Sequence, residues 1–208
     1  VLSMNRMFSS CHSLSSVPLF NTSNVTNMDM MFNNCTSLTT VPLFDTSNVL
    51  DMSSMFDNCV RLTTVPLFDT SNVTDMYRMF YMSGVTTVPL FNTNKVTTME
   101  EMFTLDKALT TIPLFNTSNV TNMQGMFSGC DGISTIPLLD TSSVINMDSM
   151  FHYANNVESG ALALYQQAST QANPPTQHNA TFLNCGQNTA SGRAELAQIP
   201  SSWGGTGV

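Results

Sequence analysis

The chain has 208 residues, only 10% of them charged, and a formal net charge of −8. The six basic residues, Arg6, Arg61, Arg78, Lys95, Lys107 and Arg193, are scattered and form no basic stripe, so nucleic acid and anionic membrane surfaces are not expected partners. No stretch reaches the ~18 apolar residues of a membrane-spanning helix, and no signal-peptide pattern opens the sequence.

Residues 1–16 read as the second half of a repeat. Met4, Met7, Phe8, Cys11 and Leu14 keep the register of Met28, Met31, Phe32, Cys35 and Leu38. Val1 aligns with Val25 in mid-repeat, so the sequence is expected to be a fragment or processed product, and its start carries no information on secretion. Five repeats follow, at 17–40, 41–64, 65–87, 88–111 and 112–135, and a sixth holds register from Ile136 to Phe151. The prolines mark the period: Pro18, Pro42, Pro66, Pro89, Pro113 and Pro137 lie 24, 24, 23, 24 and 24 residues apart. Self-similarity at this period signals stacked coils, each burying its flanks only against its neighbours.

Within a repeat, L-T-T-V-P-L alternates, with Leu38, Val41 and Leu43 as one apolar set, and predicts a short strand. Pro42 cannot donate to a ladder and marks the strand's end or a bulge. D-T-S-N is turn chemistry. V-T-D-M predicts a second extended piece with Val49 and Met52 inward. M-x-x-M-F-x-x-C-x-x-L then shifts to spacings of three and four, which predicts a single helical turn holding Met52, Met55, Phe56 and Cys59 against the core. The coil carrying Ser83-Gly84 is one residue short, and Lys95 stands at an otherwise Asn or Ser position, so these two coils are expected to be the least regular.

After Phe151 the beat stops. Ser159 to Ser169 predicts a helix with Leu162, Leu164 and Tyr165 on its apolar side, ended by Asn173-Pro174-Pro175. Ala180 to Asn184 predicts a strand and Ala190 to Gln198 a second short helix. Phe182, Leu196 and Trp203 are expected to pack on the last coil.

The M-F-x-x-C-x-x-L-T-T-V-P core and the D-T-S-N-V-T-D-M run resemble the BspA-like branch of leucine-rich repeats, found in bacterial surface proteins and some phage proteins. The likeness covers roughly residues 1–151, and the ending E-L-A-Q-I-P-S-S-W-G-G resembles the close of BspA-like proteins from gut bacteria and their phages. The expected fold is a β-rich solenoid, leucine-rich-repeat-like, with right-handed coils of 23–24 residues, short strands and single helical turns. Residues 1–151 are expected to form the solenoid and 152–208 a small α/β C-terminal cap. The resemblance implies extracellular or cell-surface display, or display on a virion surface, and adhesion or ligand binding. It implies no catalytic residues.

Four cysteines, Cys11, Cys35, Cys59 and Cys130, share one repeat position, where parallel stacking at ~4.8 Å suits free thiols better than the ~3.8 Å between Cβ atoms of a disulfide. No zinc spacing is present. His12, His152 and His178 belong to no triad or metal pattern and read as surface or edge residues. The adjacent Glu100 and Glu101 diverge rather than form a catalytic pair. Two aligned Asx columns, Asn21, Asp45, Asp69, Asn92, Asn116, Asp140 and Asn27, Asp51, Asp75, Asn122, Asn146, fit turn capping better than calcium. Seven N-x-S/T sequons are by-products of a repeat rich in Asn and Thr. No catalytic residue, metal or cofactor is expected.

The candidate interaction stripe is the column Phe20, Phe44, Phe68, Phe91 and Phe115, with Thr40 and Pro42 beside it. Strict alternation with Val41 and Leu43 inward turns these residues out to solvent, where aligned aromatics form an interaction surface. The competing reading is that the chain turns after Leu43 and tucks Phe44 into the core. The sequence predicts a non-enzymatic extracellular binding or adhesion module, its partner a protein or glycan on a host or neighbouring cell. The alternative is a self-assembling structural subunit of a fibre or phage tail appendage, associating head to tail or laterally. No nucleic acid partner and no membrane insertion are expected.

Overall fold

The computed structural model describes residues 1–208, a stack of coils joined by parallel hydrogen bonds. The coils are joined through single bridge residues, in the series Ser3, Asn27, Asp51, Asp75, Thr98, Asn122, Asn146 and Gln177, with one further bridge from Thr135 to Ser159. The short strands expected on either side of the turn are therefore absent as strands. V-T-D-M is extended but paired through one residue, and L-T-T-V-P-L is held by isolated bonds such as Thr39 N–H to Ser15 O at 3.0 Å.

The expected helical turn is also replaced. In M-x-x-M-F-x-x-C, two residues four apart take left-handed backbone angles in every coil: Arg6 and Ser10, Met30 and Asn34, Ser54 and Asn58, Arg78 and Met82, Glu101 and Leu105, Gly125 and Gly129, Ser149 and Tyr153. That geometry opposes a continuing α-helix and costs about 1–2 kcal/mol per non-glycine residue in isolation. The return is in the hydrogen bonds. Alternate amides point along the stack, with Met28, Met30, Phe32 and Asn34 N–H donating to Asp51, Ser53, Met55 and Asp57 O at 3.0, 2.9, 3.0 and 2.7 Å. The amides between them close turns inside the coil, as Met31 N–H does to Met28 O at 3.1 Å. A helix would spend every such bond internally and leave nothing to join coil to coil.

The ladder does not stop at Phe151. Met147, Ser149, Phe151 and Tyr153 N–H donate to Gln177, Asn179, Thr181 and Leu183 O, and Ala180 and Asn184 repeat the left-handed pair. Residues 177–185 are thus a further coil, with His178, Thr181, Phe182 and Cys185 standing where Met147, Met150, Phe151 and Ala154 stand one coil earlier. The expected strand at 180–184 is this turn ladder. Helix α1 (Ala161–Thr170) is spliced in ahead of it, which lengthens the spacing from Phe151 to Phe182 to 31 residues. Helix α2 (Ala190–Leu196) follows, and its Glu195 carboxylate accepts from Gly160 and Leu162 N–H at 3.2 and 3.0 Å, capping the start of α1. Phe182, Leu196 and Trp203 are buried as expected. Trp203 lies flat on His178, with ring centroids 4.2 Å apart, and its carbonyl accepts from Phe182 N–H.

The core runs the length of the stack as columns of like residues. Phe8, Phe32, Phe56, Phe80, Phe103, Phe127, Phe151 and Phe182 stack face to face with centroids 5.2 to 6.0 Å apart. Met28, Met31 and their equivalents as far as Met147 and Met150 are fully buried beside them, whereas Met7 in the first coil is 50% exposed. All five cysteines are free, and Cys35, Cys59 and Cys130 point their Sγ at the carbonyls of Phe8, Phe32 and Phe103 at 3.1, 3.1 and 2.9 Å. Burial pushes the thiols of Cys59, Cys130 and Cys185 up, so they stay protonated.

The short coil is regular after all. Val85 takes the buried place of Leu62, and the chain cuts the corner at Gly84, where a Cβ would lie 2.4 Å from Val60 O. The ladder passes through unbroken, with Phe80 N–H to Met102 O at 2.8 Å. At Lys95, the ammonium reaches back to Asn72 Oδ1 at 2.6 Å, one coil away, as the asparagines of this column do toward backbone carbonyls.

One member of the cysteine column breaks the chemical pattern. Asp106 is fully buried and accepts from Ser83 Oγ at 2.7 Å and from Ala108 N–H at 3.1 Å. Burial outweighs these bonds and raises its carboxyl pKa to about 7. Because the folded-state value lies above the unfolded one, the folded state binds the extra proton, and that stabilisation is complete below the unfolded pKa of about 3.9. It is lost as pH rises through about 7. Thermal melts at a series of pH values should therefore show wild-type stability falling from acid toward neutral pH relative to Asp106→Asn. A constant difference between the two across that window would rule out a titrating Asp106.

Candidate functional site

The phenylalanine column Phe20, Phe44, Phe68, Phe91 and Phe115 is not an exposed stripe. Phe44, Phe68, Phe91 and Phe115 are buried, Phe20 is half-buried, and Leu139 continues the column inward. The cause is a three-residue turn. Phe68, Phe91 and Phe115 N–H donate to the carbonyls of Pro66, Pro89 and Pro113 at 2.9, 2.9 and 2.8 Å. Proline fixes the approach, and the turn rotates the chain so that alternation fails at the next residue. Phe44 and Phe68 then stack against Phe32 and Phe56, each pair with centroids 6.2 Å apart. Thr40 is exposed and Pro42 half-buried.

The same turn throws the preceding leucine out. Leu19, Leu43, Leu67, Leu90, Leu114 and Leu138 are 66, 59, 60, 62, 63 and 55% exposed. Leu43, placed inward by the alternation reading, is thus outward. Single exposed leucines are ordinary, but six in register make a continuous apolar ridge. Between neighbouring leucines the surface dips. Leu67, Phe68, Asp69, Thr70, Leu90 and Asn92 line one such depression of about 320 Å³. Alternation over-reads a segment that contains proline. The X-P-L-F tetrapeptide was the available signal, because a proline followed by two large apolar residues cannot keep both on opposite sheet faces without a ladder partner for the first.

The polar border of the ridge is fixed by the first Asx column. Asp45, Asp69 and Asp140 accept from the N–H of Ser47, Ser71 and Ser142 at 3.2, 3.0 and 2.9 Å. Hydrogen bonds from those serines hold the three carboxyls below their ordinary range. Asn21, Asn92 and Asn116 make the same turn with Ser23, Asn94 and Ser118. The second column does likewise, Asn27, Asp51, Asp75, Asn122 and Asn146 each capping the amide two residues on. Both columns are accounted for by turn capping. Between them, buried threonines tie coil to coil, Thr46, Thr70, Thr93 and Thr117 Oγ1 donating to the carbonyls of Asp69, Asn92, Asn116 and Asp140 at 2.7 to 2.9 Å. His12 lies exposed at the first coil, and His178 is half-buried at the last, its ring against Trp203.

The architecture is that of a repeat solenoid with one exposed apolar ridge. The chain belongs to the family described as Mycoplasma protein of unknown function, DUF285, matching it over residues 2–104 and 83–184. The second match ends at the last left-handed residue of the ladder, Asn184. Among solved structures, a leucine-rich repeat protein from Bacteroides ovatus is similar with a TM-score of 0.59 at 21% identity, over 79% of this chain and 42% of that one. This chain thus spans less than half the length of the Bacteroides protein. The leucine-rich repeat protein TpLRR of T. pallidum aligns with a TM-score of 0.44 at 15% identity, over 95% of this chain and 76% of that one. The Bacteroides likeness shows a shared leucine-rich-repeat fold. No curated protein matches the sequence.

The reversed roles of adjacent residues give a direct test. Phe68→Ala should cost about 3–5 kcal/mol of unfolding free energy, as for a large buried aromatic. Leu67→Ala should change it by no more than about 0.5 kcal/mol. Urea denaturation of the two variants checks this, and equal costs would contradict the assignment of ridge and core.

Proposed function

We propose that this chain is a non-enzymatic interaction module of the BspA-like leucine-rich-repeat kind, displayed at a cell surface, whose leucine ridge binds an apolar face of a partner protein. The observation that carries the reading is the ridge itself. Six coils keep a leucine more than half exposed at one position, although Ser or Thr there would serve solubility better. The ridge also has the anatomy of an interface. An apolar centre is bordered by the exposed Asp45, Asp69, Asn92, Asn116 and Asp140, whose side chains are already oriented by their turns. The backbone behind it is already hydrogen-bonded from coil to coil, so docking orders little of it. In the same reading, α1, α2 and the Trp203 segment act as the lid that keeps the last coil from pairing with foreign chains.

Adherence of beads coated with the 208-residue chain to cultured cell layers tests this. A variant carrying Leu43→Ser, Leu67→Ser, Leu90→Ser and Leu114→Ser should keep the wild-type circular dichroism and lose most adherence. Equal adherence by the two proteins would discard the ridge as the binding surface.

A further inference from the structure

A second surface lies in the turn segments of the coils, away from the ridge. There the repeats differ most from one another. The coil of Phe80 carries Arg78 and Tyr81 at positions where the next coil places Glu101 and Thr104 and the coil after it Gly125 and Ser128. The coil of Phe151 brings bulk back with His152 and Tyr153, whose rings stack 4.1 Å apart. Two walls with a low floor between them make a cleft of about 290 Å³. Arg78, Tyr81, Glu101, Gln124, Ser149 and His152 face into it, over a floor of Gly125 and Ser128. Gly125 keeps the floor low. Its φ is +60°, and a Cβ there would come within 3.2 Å of Glu101 Cγ.

The electrostatics of the cleft are balanced. Arg78 donates to Glu101 Oε2 from both Nε and Nη2, and its guanidinium sits against the rings of Tyr77 and Tyr81, 5.1 and 4.7 Å from their centroids. The two charges offset each other within the cleft. Burial lowers the His152 pKa and so favours its neutral ring. Unused hydrogen-bonding capacity remains. Gln124, which lines the cleft, accepts from Asn146 through Oε1 at 3.0 Å, and its NH₂ has no partner in the protein. Tyr81 Oη, Ser149 Oγ and the His152 ring nitrogens make no hydrogen bond within the protein, and each can donate or accept. An anion would meet the Glu101 carboxylate, and a cation would meet the Arg78 guanidinium. An apolar ligand would strand the polar groups without partners. What matches is an uncharged ligand dense in hydroxyls, with a C–H face that can pack on an aromatic ring.

We propose that this cleft is a binding site for a neutral pyranose sugar. Tyr81 forms the wall against which the ring lies, Gln124 and Ser149 engage its hydroxyls, and the Arg78–Glu101 pair holds the wall in place.

Saturation-transfer NMR on the full 208-residue chain, with the methyl glycosides of glucose, galactose and N-acetylglucosamine as probes, tests the proposal. At least one probe should receive saturation and bind in the millimolar range. Tyr81→Ala and Gln124→Ala should each weaken that binding about tenfold, while Leu67→Ala on the ridge leaves it unchanged. Thermal melts of each variant report whether it is folded, and Gln124→Ala, with its partly exposed side chain, carries the test if Tyr81→Ala is unstable. Silence from all three glycosides overturns the proposal. So does binding that survives in both folded variants, or displacement of the sugar by inorganic phosphate, which would mark an anion site.

Discussion

Everything in this protein depends on alternate amides of each turn segment finding a carbonyl in the next coil. That requirement sets the left-handed residues four apart, because only that backbone aims every second N–H along the stack while the others close turns. It also makes each coil dependent on its neighbours, since an isolated coil would leave those donors and the flanks of its methionines bare. A further consequence is that every side chain sits beside its counterpart one coil away. Phenylalanine suits such a column because parallel rings stack, and asparagine suits it because each amide can reach the next coil's oxygen. Charge does not suit it. Like charges ~4 Å apart cost about 1 kcal/mol even in bulk water, and Asp75 shows the effect, its pKa raised by burial and further by Asp51 and Asp29. The low charged content of the chain follows from the stacking.

Much of this was legible in the sequence, because a repeat states its own register. The Met-Phe beat, the proline spacing and the turn chemistry of the Asx columns all stand in the structure where the repeat puts them. What was not legible was local direction. Periodicities of two and of three to four distinguish strand from helix, yet the turn segment is neither, and its left-handed residues include Arg78, Met82, Glu101 and Leu105, which carry no such preference. The sequence leaves open for a related reason whether the phenylalanine column faces out or tucks into the core, and the structure holds the second arrangement. Leu43 and Phe44 are equally apolar, and only the turn at proline decides which of the two leaves the core.

The last coil was hidden by substitution and insertion together. Its methionines are His178 and Thr181, and α1 with the Pro174-Pro175 turn separates it from the repeat before. Phe182 and Cys185 keep the F-x-x-C spacing, which is the trace that remains. Both residues are confined by the stack, Phe182 by the ring of Phe151 with centroids 6.0 Å apart, and Cys185 by a site with no solvent access. Interior columns hold a residue type because the neighbouring coil presents the same shape. Thr181 escapes this by sending its hydroxyl to Met147 and His178 carbonyls instead of packing as a methionine would.

The two exposed surfaces differ in what a repeat can offer. The ridge is built from identical positions, so a partner docked on it meets the same leucine one coil further along. Such a surface gains strength from the number of coils engaged and fixes register poorly, much as a flat strand does. The cleft arises where the repeats stop being identical: tyrosine and arginine in one coil, glycine and serine two coils on, histidine after that. It occurs once on the chain and has one orientation. Selectivity for a small ligand belongs at such a break in the pattern, and breadth of contact belongs along its continuation. The stack carries both because the side chains facing outward are the ones the ladder leaves free to vary.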